Sequence, residues 1–334
     1  MAKRKPAPLP THIPASANER MKPDKADTML IGPVQRMLLR NRPQESVEWR
    51  GDGLHPSELS KESFCPRQAV YRATGVAMTE PSVEEFSPET LLIFAEGHSI
   101  HDKWQSWWWD LGVLEGEFLC LNCDYRWWAT APEVCPNCTT QERWGIRYLE
   151  VPLRSEALCI TSHADALVRG VIVEIKSVGA GTVRALHPQL YARYAAKEIT
   201  HEQLWSEIHK PFPEHLRQAM FYAWLHGVED VRFLYEWKST SQPKEFAVKL
   251  RMRTIQPMID KAQAVVDALI SDVVPDRPWT ENSAPACQEC PYRSHCWRPR
   301  RKEITRAQTQ TSTDEAPPPG TVARRRRTPE APRA

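Results

Sequence analysis

Two acidic residues stand in runs that otherwise read as buried strand: Asp165 in HADALV and Glu174 in VIVEIKSV. A charge buried in such a run is costly unless something pairs with it. Side chains alternate across a strand, so Ile172, Glu174 and Lys176 share one face. If Ala157–Val168 and Val171–Val178 form a hairpin around Arg169-Gly170, Val168 opposes Val171 and, three steps out, Asp165 opposes Glu174. Directly opposed residues hold their Cβ atoms roughly 4.5–5.5 Å apart. Two carboxylates that close repel unless a cation sits between them. Mg²⁺ is the natural candidate, because it takes oxygen ligands and often only one or two protein carboxylates. Lys176 beside Glu174 can contact a phosphate or orient an attacking water, while the metal polarises the phosphoryl oxygen. That combination suits phosphodiester hydrolysis. The register depends on the turn, since Arg-Gly is not a preferred hairpin pair and a longer loop shifts every partner. The plainer alternative is a surface aspartate and a structural Glu–Lys pair at a strand end.

Other residues stand where helix spacing gathers them. Gly97 and His101 are four apart and share a helix face, as do Gln218 and Tyr222 on a later helix. Glycine there permits close approach of another element beside the histidine. Of nine cysteines, four form Cys120-x2-Cys123-x11-Cys135-x2-Cys138, two knuckles that fit four thiolates around structural Zn²⁺. A second set, Cys287, Cys290 and Cys296, is one ligand short, and Cys65 is the obvious fourth. Four thiolates hold either zinc or an iron–sulfur cluster, and spacing alone does not choose. Cys159 lies in an apolar run and reads as a buried packing residue. Trp104 and Trp108 continue the face of His101, and packing against the ribbon or stacking on bases would both use them. Arg67, Arg72, Arg293, Arg298, Arg300 and Arg301 flank the second cysteine set and read as phosphate contacts or as plain surface charge.

The elements that must position these groups follow from caps and breakers. Cys65-Pro66-Arg67 opens a short helix that Gly75 stops. Ser87 caps, Pro88 opens and Gly112 ends a long helix, and a cysteine-rich insert follows over 117–145. Three strand-like runs, Tyr148–Leu153, Ala157–Val168 and Val171–Val178, precede a helix with Pro213 in its first turn and Gly227 after its end. VRFLYEW and EFAVKLRM read as a strand pair, and IQPMIDKAQAVVDALISDV as a closing helix. The pattern predicts a mixed α/β core. Residues 1–50 read as mostly disordered with a short helix near Val34–Arg40, and 301–334, with Arg324–Arg327, as a flexible basic tail. The folded domain then spans 51–300. Net charge is only +2, so nucleic-acid binding must rest on local clusters. No apolar run is long enough for a membrane span, and MAKRKPAPLP lacks the apolar run of a signal peptide, so a cytoplasmic location is expected.

Together GHSIH, HAD, VEIK and QAMFY resemble, in order, the RecB-like branch of the PD-(D/E)XK nuclease superfamily. Ala164 replaces the proline of the namesake motif, and Ser162 stands where glycine is common. The resemblance implies a mixed central sheet flanked by helices. It implies Mg²⁺ or Mn²⁺ bound by His101, Asp165 and Glu174, catalysis by Lys176, and support of DNA or the site by Gln218 and Tyr222. One early and three late cysteines around these motifs are similar to the iron–sulfur nucleases among CRISPR-associated and helicase–nuclease exonucleases. That implies [4Fe–4S] on Cys65, Cys287, Cys290 and Cys296, with zinc as the alternative. The implied activity is metal-dependent exonuclease cleavage at DNA ends in recombination, repair or phage DNA processing, in a bacterial cell or phage-infected host. DNA is the implied partner, together with recombination or replication proteins. The rival reading is a non-catalytic DNA-binding or assembly module that kept the fold.

Overall fold

The protein is described by a computed structural model that covers residues 31–41, 53–80 and 87–298. Most of the expected disordered N-terminal segment, the basic tail, Arg300 and Arg301 lie outside the described residues. Helix α1 spans Ile31–Asn41, where a helix is expected from the sequence. Two short helices follow, α2 (Pro56–Leu59) and α3 (Pro66–Ala73), and α3 has Pro66 in its first turn as expected. The long α4 (Pro88–Asp110) is capped by the Ser87 side chain on the Thr90 N–H.

The strands come next: β1 (Leu114–Cys120), β2 (Arg126–Thr130), β3 (Ile146–Tyr148), β4 (Val151–Ser155), β5 (Ile160–Ala164), β6 (Ala166–Val168) and β7 (Val171–Val178). Helices α5 (Ala180–Leu186), α6 (Pro188–Ala195), α7 (His201–Ser206) and α8 (Pro213–His226) then lead to β8 (Asp230–Trp237) and β9 (Gln242–Lys249). The long α9 (Met252–Ser271) and the short α10 (Pro285–Gln288) and α11 (Arg293–Trp297) close the described chain.

A mixed seven-stranded sheet runs β2-β1-β6-β7-β8-β9, with β3 also on β1, and helices flank it. Strands β4 and β5 form a separate antiparallel pair. The β7–β8 pair is parallel, which demands a crossover, and α5–α8 supply it. The sequence pattern shows only α8 of these four, because α5–α7 are short and marked by local caps such as Thr200 rather than by periodicity. Gly227 ends α8 at φ 83°, a conformation glycine adopts without a Cβ clash.

Two expected strands break. Tyr148–Leu153 splits at Glu150, whose φ is 68°, and Ala157–Val168 loses its first residues to a turn and splits at Asp165. Cys159 sits in that turn at φ 50° and is exposed, which corrects its reading as a buried packing residue. The carbonyl of Cys159 instead accepts the Leu54 N–H at 2.6 Å, so the position serves the backbone.

Apolar layers fix the sheet on both sides. Ile100 and Trp109 of α4 meet Phe118, Val173 and Ile175, and Tyr222 of α8 meets Leu167 and Ile172. Trp109 packs on Phe118 with ring centroids 4.7 Å apart, so the tryptophan run chiefly joins α4 to the sheet. No helix among the described residues is long and apolar enough to cross a membrane.

Candidate metal and carboxylate centre

The β6–β7 hairpin has the expected register: Val168 pairs with Val171, Leu167 with Ile172, and Ala166 with Val173. Arg169 and Gly170 form the two-residue turn with φ of 52° and 72°, so both take the left-handed values a tight hairpin needs. The ladder stops one pair short of the expected Asp165–Glu174 opposition. Asp165 instead leaves the strand, and its Oδ2 accepts the Ile175 N–H at 2.7 Å. Its other oxygen lies 3.6 Å from His101 Nδ1.

Glu174 is fully buried. Its Oε1 has the Lys176 ammonium 2.6 Å away, and its Oε2 has no hydrogen-bond partner. A sealed carboxylate oxygen without a partner is costly, and a metal ion is one of its few remedies. Burial pushes the Glu174 carboxyl up to about 7 against the pull of Lys176. Burial also raises Asp165, with Lys176 opposing. Burial works against the Lys176 ammonium as well, but Glu174 and Asp165 outweigh it and hold its pKa above the ordinary value. His101 is held low by burial and then by Lys176, which leaves its imidazole neutral and able to ligate.

Two further groups join this centre that motif reading missed. Glu150 brings a carboxylate oxygen within 4.8 Å of ligand atoms of both His101 and Asp165. Burial, then Asp165 and Glu174, push its carboxyl up to about 8. The tight trio is therefore His101, Glu150 and Asp165, with Glu174 held beside it by Lys176. Gln105, one helical turn beyond His101, donates Nε2 to the Asp165 carbonyl at 2.8 Å and so fixes the break between β5 and β6. Both carried a signal: Glu150 is another acid in an apolar run, and Gln105 is four residues after His101.

Helix α4 approaches the site at Gly97, where a Cβ would lie 3.4 Å from Ser177 Oγ. From the other side, Gln218 Nε2 donates to the Tyr222 hydroxyl at 2.8 Å, and Ser162 Oγ donates to it at 3.3 Å. Tyr222 is buried, and burial followed by Glu174 pushes its pKa upward. All six residues expected at the site thus come to one region. Trp104 serves the frame, donating Nε1 to the buried Glu236 at 2.6 Å.

The ribbon cysteines converge as expected. Cys120 and Cys138 sulfurs are 3.5 Å apart, and those of Cys123 and Cys135 are 3.7 Å apart. A zinc tetrahedron with Zn–S of about 2.3 Å has edges of about 3.8 Å, so the four thiolates fit a metal such as zinc or an iron–sulfur group. Thr140 Oγ1, 3.1 Å from Cys138 Sγ, draws that thiol down to about 6. The first knuckle tips the β1–β2 hairpin, so the ribbon grows out of the central sheet rather than standing apart as an insert. Cys135→Ser is expected to abolish metal binding at the ribbon and loosen this tip while the sheet beyond Leu114 persists, as metal analysis and amide exchange would report.

Cys65, Cys287, Cys290 and Cys296 line one cleft together with Arg67, Arg277 and Arg293. Their sulfurs do not gather into a group within 4.8 Å, unlike those of the ribbon. Three of the flanking arginines are engaged within the fold, whereas Arg298 is exposed. Arg67 is buried and donates to Tyr71 and to the Pro275 carbonyl, Arg72 pairs with Glu58 at 2.9 Å, and Arg293 donates to Gln288 at 2.8 Å.

No protein-family model and no curated protein matches the chain. Among solved structures, a chain described as "Crystal structure of SSO0001" is similar at 15% identity, with 79% of this chain and 95% of that one covered and a TM-score of 0.37, too loose a likeness to carry function across.

Proposed function

We propose that the chain is a metal-dependent deoxyribonuclease of the RecB-like PD-(D/E)XK type, acting as an exonuclease at DNA ends. The observation that carries this reading is the sealed Glu174 carboxylate, unpartnered at Oε2, beside Lys176 and the His101–Glu150–Asp165 trio. Three carboxylates and one neutral imidazole form a hard donor set that suits Mg²⁺ or Mn²⁺. When bound, such an ion polarises a phosphoryl oxygen and makes hydroxide available near neutral pH.

The chain's own groups do the rest. Lys176 keeps its proton and offers a positive charge to the phosphorane-like transition state and to the attacking water. Asp165 is held by the Ile175 N–H, so its free oxygen keeps its aim. Gln218 and Ser162 both donate to the Tyr222 oxygen, which leaves the phenol proton free for a neighbouring acceptor. The test is linear DNA with Mg²⁺ or Mn²⁺, which the wild type should degrade from its ends and Asp165→Ala should not. Protein that binds DNA yet leaves it uncut with either metal would end the enzyme reading.

The Cys65 set is proposed to hold [4Fe–4S], because a cubane binds each thiolate at a separate iron and holds the sulfurs farther apart than a single zinc ion does. The arginines lining the cleft offset the negative charge of four thiolates. The cluster would tie the two ends of the folded region together around the site. Protein purified without air should be brown with about four iron atoms per chain beside the ribbon's zinc. Colourless protein with zinc in both sets would overturn the cluster and leave the nuclease proposal standing. Recombination or replication proteins are the partners such an enzyme would meet.

A further inference from the structure

His215 belongs to no motif used so far. It stands in the first turn of α8, and His215, Gln218 and Tyr222 follow at steps of three and four, so they share one stripe of that helix. Gln218 and Tyr222 already belong to the carboxylate centre. The strand register ties the third residue to it too. Lys176 pairs with Tyr235 across the parallel β7–β8 ladder, so the two side chains are neighbours on one face. The Tyr235 hydroxyl lies 2.6 Å from His215 Nδ1.

This hydroxyl fixes the tautomer of the ring. The Phe212 N–H donates to the Tyr235 oxygen at 2.9 Å. Tyr235 is fully buried, and among the described residues His215 Nδ1 is the acceptor within reach of its phenol proton, so Nδ1 accepts that proton and the imidazole proton sits on Nε2. Phe212 and Tyr235 pack edge-on against the ring, with centroids 5.6 and 5.5 Å away. Burial and the nearby Lys176 push the imidazole down to about 3, so it stays neutral. Among the described residues nothing pairs with Nε2, and that nitrogen is not sealed from solvent. A purely structural histidine would need only the nitrogen that meets Tyr235. Here a second nitrogen carries an oriented proton, at the start of a 14-residue helix whose dipole favours an anion.

We propose that His215 is a substrate-binding residue whose Nε2–H donates to a phosphate oxygen of the DNA strand engaged by Lys176. Tyr235 is its positioning residue. The proposal rests on the nuclease reading, and it assigns one phosphate contact within that site.

The test measures affinity without cleavage. A fluorescent single-stranded oligonucleotide is titrated with the protein in Ca²⁺, and its cleavage is followed separately in Mn²⁺. His215→Phe keeps the ring and its packing but loses both nitrogens. Its Kd is expected to rise about tenfold, the loss of one hydrogen bond to a charged group. His215→Gln, whose amide N–H stands near the position of Nε2, should recover most of that affinity. Tyr235→Phe should weaken binding through loss of the fixed tautomer. Ring ¹⁵N shifts of histidine-labelled wild type should show Nε2 protonated and Nδ1 bare, and this measurement decides alone if His215→Phe misfolds. A Kd for folded His215→Phe within twofold of wild type, or a proton found on Nδ1, overturns the proposal. A Kd that rises as expected in a protein that never cuts DNA would keep the phosphate contact and sink the nuclease reading instead.

Discussion

Lys176→Met is expected to lower DNA cleavage about a thousandfold, the scale of losing one preorganised charge at a reacting phosphate. The same change should destabilise the metal-free protein by about 3 kcal/mol at pH 8, the usual scale for orphaning a buried charge. Methionine keeps the apolar stem of the lysine, so packing changes little. What it removes is the ammonium 2.6 Å from a carboxylate with no exposed surface. The Glu174 carboxyl stands at about 7 only because Lys176 pulls it down, so without the ammonium it is pushed higher and at pH 8 the folded chain must either carry a bare buried charge or take up a proton. At pH 6 that carboxyl holds a proton, and the stability loss should shrink to roughly 1 kcal/mol or less. Urea unfolding at the two pH values reads the difference. An equal loss at both would assign the effect to packing and remove the charge pair from the account.

The second large effect needs no mutation. Glu150 and Glu174 have native pKa values of about 8 and 7 against an ordinary 4.5. A native pKa raised above the unfolded one means that the folded chain holds protons the unfolded chain has released. The stabilisation is therefore complete below about pH 4.5 and is lost as pH rises through 7 and 8. The total is on the order of 3 kcal/mol once coupling between the two acids is allowed for. Histidines 101, 163, 215 and 226, all held below their ordinary 6.5 by burial, act in the opposite sense, but only as pH falls below that value. Above pH 6.5 the histidines drop out, but Cys138, drawn down to about 6 against an ordinary 9, still acts against the carboxylates, so their signature is the wild-type slope compared with that of a variant lacking both acids. Protein dialysed free of Mg²⁺ and Mn²⁺ should lose stability steadily from pH 6.5 to 8.5, and Mn²⁺ should restore it at pH 8 far more than at pH 6. Glu150→Gln with Glu174→Gln should flatten the slope. Equal slopes in the wild type and this double variant would show that these acids ionise without cost, and a site built to receive a cation would no longer follow.

The sequence was informative wherever a local rule acts on few residues. Ser87, Pro88 and Gly112 bound α4, and Pro213 and Gly227 bound α8, because caps and breakers act within one turn. The β6–β7 register was legible because a two-residue turn leaves no freedom once both of its residues accept positive φ. The last step of that register failed for a physical reason. Asp165 exchanges a ladder position for the Ile175 N–H, with Gln105 holding its carbonyl, and neither bond has a spacing rule. Glu150 was hidden by the assumption that an apolar run is one strand, whereas a left-handed residue breaks it and carries the acid into the site. His215 was hidden differently: its role depends on Tyr235, twenty residues away in sequence and adjacent only through the parallel crossover. The two cysteine sets were legible as sets, yet their different sulfur spacing is a property of the folded chain alone.

The central claim is that a divalent cation sits among His101, Glu150, Asp165 and Glu174. Anomalous scattering from crystals soaked in Mn²⁺ tests it most directly. The account predicts manganese density within ligand distance of Asp165, Glu174 and His101, absent in Asp165→Ala. Strong manganese peaks elsewhere on the molecule with none at these four residues, in crystals that remain well ordered, would contradict it.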